Sequence, residues 1–182
     1  MIAVTGEALI DLVVDPGGRV TAQIGGGPFN TARTIGRLGL APVFLGRLSR
    51  DSFGARLRAS LDRDGVTLGV PQLTGDPTTL AIADLDADGV AHYHFYLAGT
   101  SSCAVDHSQL SAALPQGVTA LHAGSLALVT DPIATSIERL LASDVGGERH
   151  SPDVGENHAP ADDATASAAP RPQPGDGLRR RP

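Results

Sequence analysis

Three consecutive glycines, Gly25–Gly27, run directly into a helix-forming stretch in the segment GGGPFNTARTIGRLG, residues 25–39. This junction constrains the fold more than any other part of the chain. Glycine loses more conformational freedom on folding than any other residue, so three in a row beside a helix start imply that something needs the bare backbone there. Val20–Ile24 before it reads as a strand, and Asn30–Leu38 after it reads as a helix with Ala32, Ile35 and Leu38 on one side and Gly39 as the stop. The unit is therefore strand, tight turn, helix. Pro28 fixes the backbone before the helix, and Asn30 is expected at or near its N-cap, where its amide can serve either the helix or a ligand hydroxyl. Free N–H groups at that end would suit ligand oxygens. An ordinary tight turn reads the spacing equally well.

The rest of the chain repeats the alternation. Ile2–Val4, Leu9–Val14, Val43–Leu45 and Leu121–Ala123 are short apolar runs of strand type. Asp51 opens a second helix in which Phe53, Leu57 and Leu61 recur every four residues before Gly65. Asp106 and Gln109 have the spacing of a capping box for a helix through Leu114, and Asp131-Pro132 has the chemistry of a helix start before Ile133, Ile137 and Leu140. Alternating strands and helices predict an α/β fold with a parallel sheet. Leu80–Leu85 and Val90–Leu97 flank Asp86-Ala-Asp-Gly89, a hairpin that interrupts the alternation and predicts a small appended sheet.

Composition narrows the function. The 182 residues carry a net charge of −6, against the basic footprint of a nucleic-acid binder. All 14 basic residues are arginine, which excludes a Walker-type phosphate loop and its lysine. No apolar stretch approaches the ~20 residues of a membrane span, and the N-terminus lacks the basic region of a signal peptide. A single cysteine, Cys103, leaves no internal disulfide, so a cytoplasmic location is expected, with Cys103 as a small buried residue. His92 and His94 share one strand face without further ligands, which reads as a polar face rather than a metal pair.

From Ser143 to Pro182 the periodicity stops. These 40 residues hold six prolines and five glycines, and Val145, Val154 and Leu178 are their only large apolar side chains. Such a segment cannot bury enough surface to offset the ordering of its backbone, and a disordered tail is expected. Its Ala/Pro/Arg/Gly-rich composition is also what a GC-rich gene read out of frame would give.

Four motifs in order, TGEALIDLV, GGGPFNTARTIGRLG, FLGRLSRDSFG and a hairpin ending HFYLAGTSS, make residues 1–142 resemble the N-terminal half of the PfkB (ribokinase-like) carbohydrate kinases, the fructokinase-like branch in particular. The glycine-asparagine signature of that family is matched at Gly26, Gly27, Asn30, Gly36, Gly39, Gly46 and Gly54. The resemblance implies a Rossmann-type parallel sheet carrying a small β-sheet lid, formed by strands within about 9–24 and 79–97, over a sugar site. It implies that Asp11 accepts hydrogen bonds from sugar hydroxyls, that Gly26, Gly27 and Asn30 form the second part of the site, and that Phe95 on the lid hairpin lies over the sugar. Tyr93 and Tyr96 stand on the same hairpin, which leaves aromatic core packing as the plainer reading of all three rings.

The resemblance further implies ATP-dependent phosphorylation of a sugar hydroxyl with Mg²⁺ and a small sugar as partner, and a homodimer through the lid sheet. The family's Gly-Ala-Gly-Asp and Asn-x-x-Glu elements, which supply its anion hole, base and Mg²⁺ environment, do not occur here. The chain has only two asparagines, Asn30 and Asn157, and PGDG at Pro174–Gly177 has no room for the helix that would follow it. No catalytic residue, nucleotide site or metal ligand is therefore assigned, and the chain alone is expected to be inactive. A non-catalytic sugar-binding module and a non-functional truncated product are the alternatives. Gly124 and Ser125 stand where some relatives carry a sugar-binding acid, which argues against ribose.

Overall fold

In a computed structural model of the chain, residues 1–143 are described. The expected tail begins at the last of these, so the expectation for residues 144–182 lies outside the described residues. Within them, strands β1 (Ile2–Thr5), β4 (Val43–Leu45), β5 (Thr67–Leu68) and β8 (Ala120–Ala123) form a parallel sheet in the order β5-β4-β1-β8. Helices α1 (Gly27–Arg37), α2 (Ser52–Arg63), α3 (His107–Ala113) and α4 (Ile133–Ser143) complete the α/β layers. Strand alternation divides the core in two. Val4 and Phe44 point into a cluster with Phe29, Leu57 and Leu61 of α1 and α2, whereas Ala3, Val43 and Leu45 point into one with Leu110, Ile133, Ile137 and Leu140 of α3 and α4. Phe29 meets Phe44 edge to face, with ring centroids 5.6 Å apart.

A second sheet contains β2 (Leu9–Val14), β3 (Val20–Gly25), β6 (Thr79–Leu85) and β7 (Ala91–Tyr96) in the order β3-β2-β6-β7. The expected hairpin is its β6–β7 half. The other half is a β2–β3 hairpin, and the two halves join through a parallel β2–β6 pairing from Leu9↔Thr79 to Val14↔Asp84. Both hairpins turn by the same device. Asp15 Oδ1 accepts from the N–H groups of Gly17 and Arg19, and Asp86 Oδ1 from those of Asp88 and Val90.

Helix starts follow the sequence with one exception. Asp51 caps α2 by accepting from Gly54 N at 2.8 Å, and Asp106 and Gln109 form the reciprocal capping box of α3. Asp131 accepts from Thr135 N and Oγ1, while α4 begins at Ile133, just past Pro132. The exception is α1, which begins at Gly27 rather than Asn30, three residues early, with Gly26 as its N-cap. Pro28 is already helical there, because its fixed φ suits the first turn and its missing N–H is no loss. Cys103 is buried, and no described helix is long and apolar enough to cross a membrane.

Candidate functional site

The three glycines each answer to a different neighbour, and all three neighbours belong to the protein. A Cβ at Gly25 would collide with the Asp11 carboxylate, which leans over that bare backbone. Gly26 has φ 103°, a conformation side-chain-bearing residues rarely adopt, and a Cβ there would press on the Glu7 carbonyl at 2.5 Å. A Cβ at Gly27 would meet Ser125 Oγ at 3.0 Å.

Glu7 organises this region, although sequence reasoning assigned it no role. It is 2% exposed. Its Oε1 accepts from Gly27 N at 3.1 Å and from Ser125 Oγ at 2.7 Å, and its Oε2 from Ser125 N at 3.3 Å and Ala127 N at 3.2 Å. One buried carboxylate thus satisfies the first N–H of α1 and the entry to the short 3-10 turn Leu126–Leu128. Burial without these donors would be prohibitive for a carboxylate. The available signal was the chemistry of VTGEAL itself, where a single acid sits between two strands.

Glu7 and Ser125 follow β1 and β8 at the carboxyl ends of adjacent parallel strands. From β1 the chain steps outward to β4 and β5, then returns to β8 on the other side, so the strand order reverses between β1 and β8. Crevices at such reversals are the usual ligand sites of open α/β sheets.

The second sheet presents a polar and aromatic row. Asp11 pairs with Gln23 on β3 and with Ala81 on β6, and Ala81 pairs with Phe95 on β7. Directly paired residues share a face, so Gln23, Asp11, Ala81 and Phe95 lie in line, with Asp11 and Phe95 two strands or about 10 Å apart over the small Ala81. Tyr93 lies on the same face, 57% exposed, and stacks on Phe95, 46% exposed, with centroids 5.9 Å apart. Tyr96 faces the other way and is also exposed, so none of the three rings is core. Half-burial pushes the Asp11 carboxyl above the usual aspartate range.

Asp11 therefore lies against Gly25, the chain neighbour of Gly26 and Gly27, whose open sides face Glu7 and Ser125, and Phe95 shares the Asp11 face. Asn30 does not cap α1. It is the fourth helical residue, exposed, with Oδ1 3.5 Å from Arg33 Nη1. The expected free amides are largely taken as well. Gly27 N binds Glu7, Pro28 has no N–H, and Asn30 N binds Gly26 O at 2.9 Å. His92 and His94 lie near Asp86 and Asp84 on the opposite face, and no group of three or more potential metal ligands occurs among the described residues. A cavity of about 450 Å³ between the loop after β5 and α3 is lined by Gly69–Gln72, Ser108 and Gln109, among others, and includes none of the residues above.

The pfkB family of carbohydrate kinases matches residues 1–143. Fructokinase-1 of Oryza sativa subsp. japonica is 35% identical over 135 residues, covering 70% of this chain and 42% of its own. The crystal structure of fructokinase from Xylella fastidiosa superposes with a TM-score of 0.70 at 30% identity, over 78% of this chain and 47% of that one. Fructokinase from Vibrio cholerae O395, solved in fructose, ADP and calcium ion bound form, gives a TM-score of 0.64 at 26% identity over 78% and 46%. The chain spans less than half the length of these relatives. With the parallel sheet, the second mixed sheet and the glycine junction in place, the chain belongs to the pfkB family of carbohydrate kinases.

Proposed function

We propose that this chain is the sugar-recognition half of a fructokinase-like kinase and binds a ketohexose between the Asp11 face of the second sheet and the Gly25–Gly27 junction. The observation that carries this reading is the Asp11 carboxylate, which leans over the bare Gly25 in line with an exposed Phe95. A carboxylate accepts from two adjacent hydroxyls at once, and an aromatic face covers the apolar C–H side of a sugar ring. In this reading Asn30, one turn into α1, adds a polar group from the helix, and the second sheet acts as the lid.

The described residues do not fit the ATP and Mg²⁺ of the family. Each helix start is met by a carboxylate of the chain itself: Glu7 at α1, Asp51 at α2, Asp106 at α3 and Asp131 at α4. Those positions would otherwise be the natural cradle for phosphate. No step is therefore routed through a nucleotide, and the reading is of sugar binding without phosphoryl transfer by this chain alone.

The test is fructose-dependent thermal stabilisation of the purified chain, since a ligand that binds only the folded state raises its stability. Wild type is expected to shift upward with fructose and Asp11→Ala to show no shift. Because the folded Asp11 carboxyl titrates above the usual range, the fructose effect should fade on acidification before an ordinary aspartate would protonate. A wild-type shift unchanged in Asp11→Ala would reject the site.

A further inference from the structure

The second sheet holds a polar side chain with no assigned task. Gln23 stands directly opposite Asp11 in the β2–β3 ladder, on the same face, and is exposed. Among the described residues its amide has no hydrogen-bond partner, and neither has the Asp11 carboxylate. Adjacent strands bring such paired side chains to about 5 Å at Cβ. Arg56 Nη2 binds the Ala22 carbonyl one residue earlier, and β3 ends in the Gly25 backbone that Asp11 overhangs, so this stretch of β3 is held in place while the Gln23 side chain stays uncommitted.

We infer that Gln23 is a specificity-determining residue of the sugar site, its amide hydrogen-bonding the hydroxyl next to those taken by Asp11. This rests on the sugar-site reading of Asp11. The chemistry is complementary. Ionised Asp11 only accepts, whereas Gln23 both donates through its NH₂ and accepts through its carbonyl. Together they match a run of three neighbouring hydroxyls better than an isolated diol. The pair would favour a polyhydroxylated ketohexose over a sugar lacking one hydroxyl of the run, because a deoxy analogue leaves an amide or carboxylate group desolvated without a partner.

Isothermal titration of the full chain with D-fructose, 3-deoxy-D-fructose and 4-deoxy-D-fructose tests this, in wild type, Gln23→Ala and Asp11→Ala. Gln23→Ala is a surface change on a strand held by other contacts, and its unliganded melting temperature should match wild type. Fructose affinity should fall about two- to tenfold, the range for one neutral hydrogen bond. The wild-type preference for fructose over one of the deoxy sugars should also vanish, a change that a loosened strand would not produce. Equal fructose affinity in wild type and Gln23→Ala, or an equal loss for all three sugars, overturns the inference while leaving Asp11 in place. If wild type binds none of the three sugars, the sugar-site reading falls and takes this inference with it.

Discussion

Glu7, Asp11 and Asp51 carry the same functional group in three environments. Glu7 is buried and fully engaged, Asp11 is half-buried and uncommitted, and Asp51 links two parts of the fold. Asp51 Oδ1 accepts from Gly54 N and Thr78 Oγ1, and its Oδ2 from Thr78 N, so it joins the start of α2 to the entry of β6. Burial opposes its charge, but these donors prevail and hold its carboxyl at about 2. A carboxyl lowered in the folded state contributes stability that is complete above the unfolded value near 4 and lost as pH falls toward 2. Asp51→Ala should lower stability by about 1–2 kcal/mol at pH 7, and its deficit in melting temperature should close between pH 4 and pH 2. Gly25→Ala is the complementary probe. Its methyl collides with the Asp11 carboxylate, so calorimetry should find fructose binding lost in a chain that still folds.

At the scale of elements, α1 shows how a distant residue sets a boundary. Reading locally, Asn30 was the natural cap, because the asparagine amide is a good partner for first-turn N–H groups. The helix instead starts at Gly27, because Glu7, twenty residues earlier, supplies the acceptor that Gly26 lacks. The same carboxylate holds the turn after β8, so Glu7 couples the two walls of the crevice. Glu7→Gln keeps the size but turns an NH₂ donor toward at least one N–H donor. We expect a loss of about 1–3 kcal/mol, the cost of leaving a buried donor unsatisfied. In Glu7→Ala, which removes both acceptors, amide hydrogen exchange should rise at both Gly27 and Ala127, and a rise at only one would show that the two walls are held independently. The helices at Asp51 and Asp106 were legible because their caps lie within three residues of the amides they bind.

For the whole molecule, the expectation is that this chain shows no fructose-dependent ADP release in a coupled assay that detects full-length Xylella fastidiosa fructokinase. Anion-hole donors are commonly worth ~10²–10³ in rate and a general base ~10²–10⁴, and neither family element is present in the sequence. Turnover that disappears in Asp11→Ala would instead restore the chain as an enzyme. The α/β class, the hairpin at residues 80–97 and the order of family motifs followed from the sequence alone, since apolar periodicity, turn chemistry and short-range capping are local properties that neighbouring residues decide. The parallel β2–β6 pairing that joins the hairpins into one sheet, the burial of Glu7 and the alignment of Gln23, Asp11 and Phe95 were decided only by the tertiary structure. Each depends on strand register and on contacts between residues distant in sequence, and a one-residue slip in register would have turned Asp11 to the opposite face.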